Sequence, residues 1–254
     1  MFGSSQDQEA NLPLDDILYP MQIRIRTICV FGGARMGNDP RHAEAAAALG
    51  HAIGSAGIRL VYGGGSEGLM GTNATAAATR GSEVIAIAPH FLVERMTIPH
   101  RIAQTIAVPD MHMRKRLMFD YADAFVALPG GIGTIEELAE VMTWRKLGRH
   151  QKPIVIANFF GFWSPWLDLL NHLEDAGFLC GQILKACLVA ESSEAILPML
   201  QRGICFAQKW ASQPAHYPPA DPSNAVTLVE QDHLTVAVGS ENHATFECIM
   251  DIGL

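Results

Sequence analysis

Three glycine-rich segments of the sequence could bind a phosphate group. They lie at 32–37, 63–68 and 129–134, and each follows a short apolar run. Glycine lets backbone N–H groups approach an anion because no Cβ stands in the way. A helix that begins directly after such a segment adds the positive end of its dipole. Any one segment could be only a tight strand-to-helix turn, but three at one edge of a sheet predict a phosphate site.

The two commonest phosphate motifs fit the sequence poorly. Gly63-x-Gly65-x-x-Gly68 matches the dinucleotide fingerprint literally. The acidic residue that would bind the ribose should end the next strand, whereas Glu83 stands at its start. No segment has the G-x-x-x-x-G-K-[ST] pattern of a Walker-type ATPase. We therefore expect neither an NAD enzyme nor such an ATPase.

A run of three cations, Arg114, Lys115 and Arg116, opens a predicted helix. The helix dipole makes cations unfavourable there, which suggests a compensating anion, either a ligand phosphate or carboxylates of the neighbouring loop. A solvated basic turn is the ordinary explanation of a charge run. A functional role for the three cations is favoured because the next strand leads into the 129–134 segment. The helix that begins with the cations and the helix that follows this segment should therefore start side by side.

Two glutamates, Glu136 and Glu137, follow the third glycine segment. Glutamates in a first helical turn are ordinary partners of the helix dipole. Thr134 is a natural N-cap, and Thr134-x-x-Glu137 has the spacing of a capping box. Glu137 is therefore either a helix cap or a catalytic carboxylate, and these residues alone leave both open.

The elements that must position these residues follow a regular alternation of apolar runs and helical segments. Uninterrupted apolar runs are typical of strands buried on both faces, and several helical segments stop at a glycine. The alternation predicts an α/β, doubly wound, Rossmann-like fold with a mainly parallel sheet of about seven strands and helices on both faces. The predicted strands are 28–31, 59–62, 84–88, 105–108, 124–128, 154–157 and 186–190, and the predicted helices are 41–55, 69–80, 111–121, 135–147 and 163–176.

The composition suits one large domain with tails. Of the 254 residues, 49% are hydrophobic and 17% are charged, which allows a sizeable core. We expect a flexible arm at 1–22, a nucleotide-binding catalytic domain at 23–205, and a Pro-rich linker and tail at 206–254 with a hairpin at 234–250. The net charge of −8 disfavours non-specific nucleic-acid binding.

The cysteines and the first residues predict a cytoplasmic protein. Five cysteines, with no C-x-x-C pair, argue against a disulfide framework and fit reduced thiols. The first twenty residues lack a basic start followed by an apolar stretch, so no signal peptide is expected. The longest weakly charged stretch, 153–167, is interrupted by Gly161 and Pro165, so no membrane span is expected either.

Three motifs together resemble one known family. Gly-Gly-Gly-Ser-Glu-Gly-Leu-Met-Gly at 63–71, Met-His-Met-Arg-Lys at 111–115 and Pro-Gly-Gly-Ile-Gly-Thr-Ile-Glu-Glu at 129–137 resemble the LONELY GUY (LOG) family in order and spacing. Its members are cytokinin-activating phosphoribohydrolases, long labelled lysine decarboxylases. The resemblance covers about residues 27–200. It implies hydrolysis of the N-glycosidic bond of a nucleoside 5′-monophosphate to a free base and ribose 5-phosphate, without metal or cofactor, by a homo-oligomer (dimer or hexamer).

The resemblance also implies the site residues. It places the catalytic arginine at Arg114 and the catalytic glutamate at Glu137, and Ile132 stands where most members carry an aromatic residue. The residues expected to bind substrate or its phosphate are Gly63, Gly64, Gly65, Glu94, Lys115, Gly130, Gly131, Gly133, Thr134, Glu136 and Thr143.

The expected residue types fit the hydrolysis of a ribosyl bond to a base. A ribosyl C–N bond breaks through an oxocarbenium-like state. A carboxylate at Glu137 could stabilise the cationic sugar, hold a ribose hydroxyl or activate water. Arg114 could bind the phosphate or assist the leaving base. The apolar residues that could line a base pocket are Met96, Met113, Met118, Phe119 and Trp144, although residues of these types more often belong to the core.

Three other functions compete with this hypothesis. The first is an AMP nucleosidase that acts mainly on AMP, and the second is a non-catalytic carrier of a nucleotide or of molybdenum cofactor. The carrier is disfavoured because both Arg114 and Glu137 are present. Decarboxylation with PLP needs a Schiff-base lysine, and of the five lysines only Lys115 lies near the predicted site, inside an arginine cluster.

Overall fold

Seven parallel strands form the centre of the molecule. The computed structural model describes residues 25–97, 102, 104–179 and 187–211, and of 205–211 it describes the backbone alone. The strands are β1 (Thr27–Phe31), β2 (Arg59–Tyr62), β3 (Val84–Pro89), β4 (Gln104–Val108), β5 (Ala124–Ala127), β6 (Ile154–Ala157) and β7 (Cys187–Ala190). Their order is β4-β3-β2-β1-β5-β6-β7, and every neighbouring pair is parallel. The predicted doubly wound α/β sheet of about seven strands is confirmed.

The winding direction reverses next to β1. The chain adds β2, β3 and β4 on one side of β1, and then returns to add β5, β6 and β7 on the other. The reversal leaves a crevice between the loops that follow β1 and β5 at the carboxyl edge of the sheet. Ligands of open α/β sheets bind at such a switch point.

Helices cover both faces of the sheet. They are α1 (Arg41–Ser55), α2 (Gly68–Thr79), α3 (His90–Val93), α4 (Met111–Tyr121), α5 (Ile132–Lys146), α6 (Ser164–Asp175) and α7 (Ser193–Ala211), with a 3-10 turn at Phe159–Gly161. Residues of α1, α2 and α7 enter one apolar core, and residues of α4, α5 and α6 enter the other. Along β1, Ile28 and Val30 point into the first core whereas Cys29 and Phe31 point into the second. This explains why the strand is apolar without interruption.

The structure changes some of the predicted boundaries. All five predicted helices are present, but α5 begins at Ile132, three residues before its predicted start. The short α3 and the long α7 were not predicted, and α7 contains Pro198. The expected end of the catalytic domain at 205 falls inside α7. The arm at 1–22 and the hairpin at 234–250 lie outside the described residues. None of the described helices combines the length and apolar character that crossing a bilayer requires.

Helices α1 and α2 pack unusually closely through glycine. A Cβ added at Gly50 would lie 2.3 Å from the backbone oxygen of Asn73 and 2.8 Å from the Cβ of Ala76. The buried Asn73 side chain donates from Nδ2 to the carbonyl oxygen of Ala46 at 2.9 Å, which ties the two helices together. The glycine in the middle of α1 is therefore required by packing, although glycine weakens a helix.

We expect Gly50→Ala to destabilise the protein. In a helix interior this change ordinarily stabilises by about 1 kcal/mol. Here the new methyl group would collide with backbone, and overpacking of this kind costs about 1–3 kcal/mol. The free energy of unfolding, measured by denaturant titration, should fall. An unchanged or higher value would show that α1 and α2 are not packed as closely as described.

Candidate active site

One cleft occupies the carboxyl edge of the sheet above β1, β2 and β5. Its volume is about 700 Å³, and residues of all three glycine-rich segments line it. The sequence prediction that these segments meet at one edge is confirmed. The segments also touch one another, since the Gly33 amide donates to the Pro129 carbonyl at 2.9 Å and the Met70 amide donates to the Gly33 carbonyl at 3.3 Å.

The glycines of these segments serve two different purposes. A Cβ at Gly68 would lie 2.3 Å from the carbonyl carbon of Ala34, and a Cβ at Gly71 would lie 2.1 Å from that of Ser66. Packing against the segment after β1 explains Gly68, and packing against Ser66 in the second segment explains Gly71. A Cβ at Gly131 or Gly133 would meet nothing within 4 Å, so no protein contact requires glycine there. Both line the cleft, where a glycine leaves room for a ligand to reach the backbone.

The start of α5 faces the cleft with its first amides uncapped. The N-cap residue is Gly131, and no side chain caps the helix. The prediction that Thr134 is the N-cap is wrong, because Thr134 is already the third helical residue and is buried. The capping box with Glu137 therefore does not exist. First-turn N–H groups without a capping side chain, together with the positive dipole end, form an anion-binding geometry.

Arg114 and Glu137 form a buried ion pair at the base of the cleft. Arg114 Nη2 lies 3.0 Å from Glu137 Oε1, and the two side chains are only 9% and 6% exposed. Arg114 lies in the first turns of α4, whose N-cap Asp110 accepts a hydrogen bond from the Met113 amide at 2.8 Å. A Cβ at Gly63 would lie 1.9 Å from Arg114 Nη2, so only glycine leaves room for the guanidinium.

The pair has unused hydrogen-bonding capacity and a perturbed charge state. The Nε atom of Arg114 is buried and has no hydrogen-bond partner among the described residues. Burial raises the pKa of the Glu137 carboxyl to about 7, although Arg114 beside it lowers the pKa and Glu136 raises it further. A carboxyl that titrates near neutrality beside a spare N–H donor, in a cleft, is typical of a catalytic site.

Four of the expected substrate-binding residues do not line this cleft. Lys115 Nζ contacts Glu136 Oε1 and lies 3.1 Å from Glu140 Oε1, so it joins α4 to α5 beside the buried pair. Neither Lys115 nor Glu136 lines the cleft, and neither do Glu94 and Thr143. The third cation of the basic run, Arg116, pairs with Asp120 on the exposed side of α4. The substrate-binding roles that the resemblance implies for Lys115, Glu136, Glu94 and Thr143 stay predictions.

The remaining expected residues are brought together. The cleft is lined by Gly63, Gly64, Gly65, Arg114, Gly130, Gly131, Gly133, Thr134 and Glu137. Of the candidate base-pocket residues, Met96 lines the cleft, whereas Met118 is core and Phe119 packs edge-on against Trp144. Met113 and Ile132 are exposed and do not line the cleft.

Sequence reasoning missed several residues of the cleft wall. Most of them lie in loops without periodicity, which is the signal that revealed the strands and helices, whereas His42 lies in α1 and Leu92 in α3. Arg35 and Met36 lie inside the predicted glycine-rich segment 32–37, but the sequence singled out neither side chain. The missed side chains that line the cleft are Arg35, Met36, His42, Leu92, Arg95, Thr97 and Phe162.

Comparisons with known sequences give closely similar relatives. A family described as "Possible lysine decarboxylase" matches residues 70–200. The chain is 40% identical over 178 residues to the cytokinin riboside 5′-monophosphate phosphoribohydrolase LOG7 of Arabidopsis thaliana, which covers 70% of this chain and 82% of that protein. It is 39% identical over 178 residues to the cytokinin riboside 5′-monophosphate phosphoribohydrolase LOG of Oryza sativa subsp. japonica, and the match covers 70% of this chain and 74% of that protein.

Comparisons with solved structures give the same fold at low identity. The molybdenum cofactor binding protein of Rippkaea orientalis has a TM-score of 0.54 at 19% identity, covering 71% of this chain and 98% of that one. The molybdenum cofactor carrier protein of Chlamydomonas reinhardtii has a TM-score of 0.54 at 21% identity, covering 72% and 99%. These similarities show the fold alone.

We expect two neighbouring substitutions to move the pKa of Glu137 in opposite directions. Arg114→Met should raise it above 7, because the guanidinium lowers it, and Glu136→Gln should lower it, because the second carboxylate raises it. The measurement is a ¹³C NMR titration of glutamate carboxyl carbons, assigned with Glu137→Gln. A pKa near 4.5 in the wild type, or no shift in Arg114→Met, would contradict the described pair.

Proposed function

The chain belongs to the LOG family of cytokinin riboside 5′-monophosphate phosphoribohydrolases, and on that premise we propose that it hydrolyses the N-glycosidic bond of a nucleoside 5′-monophosphate. The products are a free base and ribose 5-phosphate. The substrates that the family name indicates carry a cytokinin base. The protein is accordingly an enzyme, a hydrolase of N-glycosyl compounds.

The observation that carries this proposal is the buried Arg114–Glu137 pair directly beside the uncapped start of α5. A carboxyl with a pKa near 7 and an arginine with a spare donor supply groups for acid–base and electrostatic catalysis. The helix start supplies amides for an anion. A substrate with a phosphate at one end and a bond to break a few ångströms away matches this arrangement.

We propose that the phosphate binds at the start of α5. Gly131, Gly133 and Thr134, which form this helix start, line the cleft there. Each hydrogen bond to a charged group contributes about 1.5–3 kcal/mol. This remote binding energy orients the ribose over Glu137, which explains why a nucleoside without phosphate should be a poor substrate.

Cleavage then uses the charges of the pair. As the C1′–N bond breaks, its electrons go to the base, and positive charge develops on the sugar. The Glu137 carboxylate stabilises that charge and can take a proton from the water that adds to C1′. Arg114 Nε can donate a hydrogen bond to the departing base or to the ribose. The proton that Glu137 takes from water passes to the base, so the products are the neutral base and ribose 5-phosphate, and Glu137 is again a carboxylate.

The base is proposed to lie on the far side of the pair from the phosphate. Met96 packs there, and a Cβ at Gly64 would lie 3.2 Å from its sulfur. Leu92, four residues earlier in the chain, also lines the cleft. A flexible thioether and an aliphatic side chain suit an apolar group, which favours a prenylated adenine over plain adenine. AMP is the alternative substrate, and the rates of base release from the prenylated nucleotide and from AMP distinguish these two substrates.

Neither other candidate function gains support. The solved molybdenum-cofactor proteins resemble this chain in fold alone, and fold does not determine function. Among the described residues no lysine lines the cleft, so none is placed to form a Schiff base with PLP there.

We also propose that the protein is a homo-oligomer and is cytoplasmic. Helices α4 and α5 lie on the same face of the sheet and carry exposed apolar side chains, among them Met113 at 45% and Ile132 at 84% exposure. Burial of these groups against a second copy would remove apolar surface from water. The cytoplasmic location is supported by the cysteine pattern, and Cys29 and Cys187 are free thiols.

The activity is tested with Glu137→Gln. Loss of the carboxylate should lower kcat by about 10²–10⁴ while the fold stays intact. The measurement is release of base from isopentenyladenosine 5′-monophosphate and from AMP, followed by chromatography. Glu83→Gln, which removes only an exposed ion pair with Arg59, is the matched control and should retain full activity. Release of no base by the wild type would refute the proposal, and equal rates for both substrates would favour an AMP nucleosidase.

The oligomer is tested with Ile132→Glu. A charge at this exposed first residue of α5 should weaken association if α4 and α5 form the interface, because burying an unpaired charge is costly. Light scattering should show a smaller mass for the variant than for the wild type. The control Phe178→Glu alters an equally apolar exposed residue beyond the end of α6 and should leave the mass unchanged. A monomeric wild type would contradict the proposal outright.

A further inference from the structure

The proposed phosphate site needs positive charge that the expected residues do not supply. A phosphate monoester carries a charge of about −1.5 to −2 at pH 7, and it would enter a protein of net charge −8. Lys115, the lysine implied by the resemblance, contacts Glu136 and Glu140 instead of lining the cleft. The helix start supplies only a partial charge.

Three arginines line the cleft among the described residues. They are Arg35, Arg95 and Arg114. Glu137 already pairs with Arg114 at 3.0 Å, so the positive charge of that guanidinium already has a carboxylate partner. Arg35 and Arg95 are both exposed, and neither has a carboxylate partner among the described residues. Two cations are therefore available to a bound anion.

The main chain places these two arginines in different parts of the cleft wall. Arg35 follows β1, two residues after Gly33, whose amide donates to Pro129 in the phosphate segment at 2.9 Å. The same backbone also packs closely against Gly68, where an added Cβ would lie 2.5 Å from the Arg35 amide nitrogen. Arg95 instead follows α3, next to Met96, which packs against Gly64 and Gly65.

We infer that Arg35 binds the 5′-phosphate of the substrate, opposite the start of α5, and so determines the preference for nucleotides over nucleosides. A guanidinium offers a fork of N–H donors that matches phosphate oxygens, whereas the helix start offers amides from the other side. Arg95 lies at the base end and has no part in holding the phosphate. This inference rests on the proposed function.

The test compares Arg35→Gln with the matched variant Arg95→Gln. Both variants remove one cleft-lining guanidinium and keep a polar side chain. They differ only in the part of the cleft from which the guanidinium is removed. The measurement is calorimetric binding of ribose 5-phosphate to each purified protein, with ribose as the probe that lacks a phosphate. We expect Arg35→Gln to bind ribose 5-phosphate about 10- to 100-fold more weakly than the wild type does, and Arg95→Gln to bind it like the wild type.

Turnover gives a second, independent comparison. For Arg35→Gln, kcat/KM should fall for the nucleoside monophosphate and stay unchanged for the nucleoside, so that the ratio of the two falls by the same factor. Arg35→Lys, which keeps the charge without the fork, should lie between the wild type and Arg35→Gln. A ratio that does not change in Arg35→Gln would overturn the inference.

The outcomes separate this inference from the proposed function. If Arg35→Gln binds ribose 5-phosphate as tightly as the wild type, or if Arg95→Gln shows the loss instead, the inference is wrong and the proposed function stands. If the wild type binds ribose 5-phosphate through Arg35 but releases no base, the function is wrong and the phosphate assignment stands. If the wild type binds no ribose 5-phosphate, both are wrong.

Discussion

The contact between Arg114 and Glu137 is the constraint to which the surrounding structure is fitted. Removing two charges from water costs several kcal/mol per ion, and a buried pair rarely repays that cost in stability. Keeping them 3.0 Å apart therefore requires that α4 and α5 be held side by side. Strand β5 connects the two helices, and the contacts of Lys115 with Glu136 and Glu140 fasten them together one residue from the pair. Gly63 supplies the space for the guanidinium.

Helix geometry explains why adjacent residues of the two motifs do different things. Successive residues of an α-helix point about 100° apart, since one turn takes 3.6 residues. Arg114 and Lys115 therefore point in different directions, and so do Glu136 and Glu137. One residue of each adjacent pair enters the cleft, and the other joins α4 to α5 at the surface. All four residues belong to two short sequence motifs. The rotation of the helix is what directs Arg114 and Glu137 to the cleft and leaves Lys115 and Glu136 to join the two helices.

Much of the fold follows from local pattern, and the exceptions have identifiable causes. Buried parallel strands such as β2 and β6 are continuous apolar runs, so their bounds could be predicted from sequence. The start of α5 was misplaced because Thr134 resembles an N-cap, whereas the uncapped Gly131 serves instead. Helix α7 was missed because Pro198 lies inside it, and proline usually ends a helix. The proposed catalytic pair was identified by resemblance, while Arg35 and Phe162 lie in loops whose positions depend on contacts distant in sequence.

The functional distinction within this fold lies in a few side chains rather than in the scaffold. Structures of molybdenum-cofactor proteins share the sheet and its helices at 19% and 21% identity, so the switch point alone does not specify a reaction. What a hydrolase needs in addition is a carboxyl that can change charge at neutral pH. Burial beneath the glycine segments supplies that property, because it raises the pKa of Glu137 to about 7 in spite of the arginine beside it. A bound phosphate would raise this pKa further through like charge. A cation near the phosphate counteracts this rise in the pKa of Glu137. Positive charge beside the phosphate, in addition to that of Arg114, therefore helps to keep Glu137 a carboxylate.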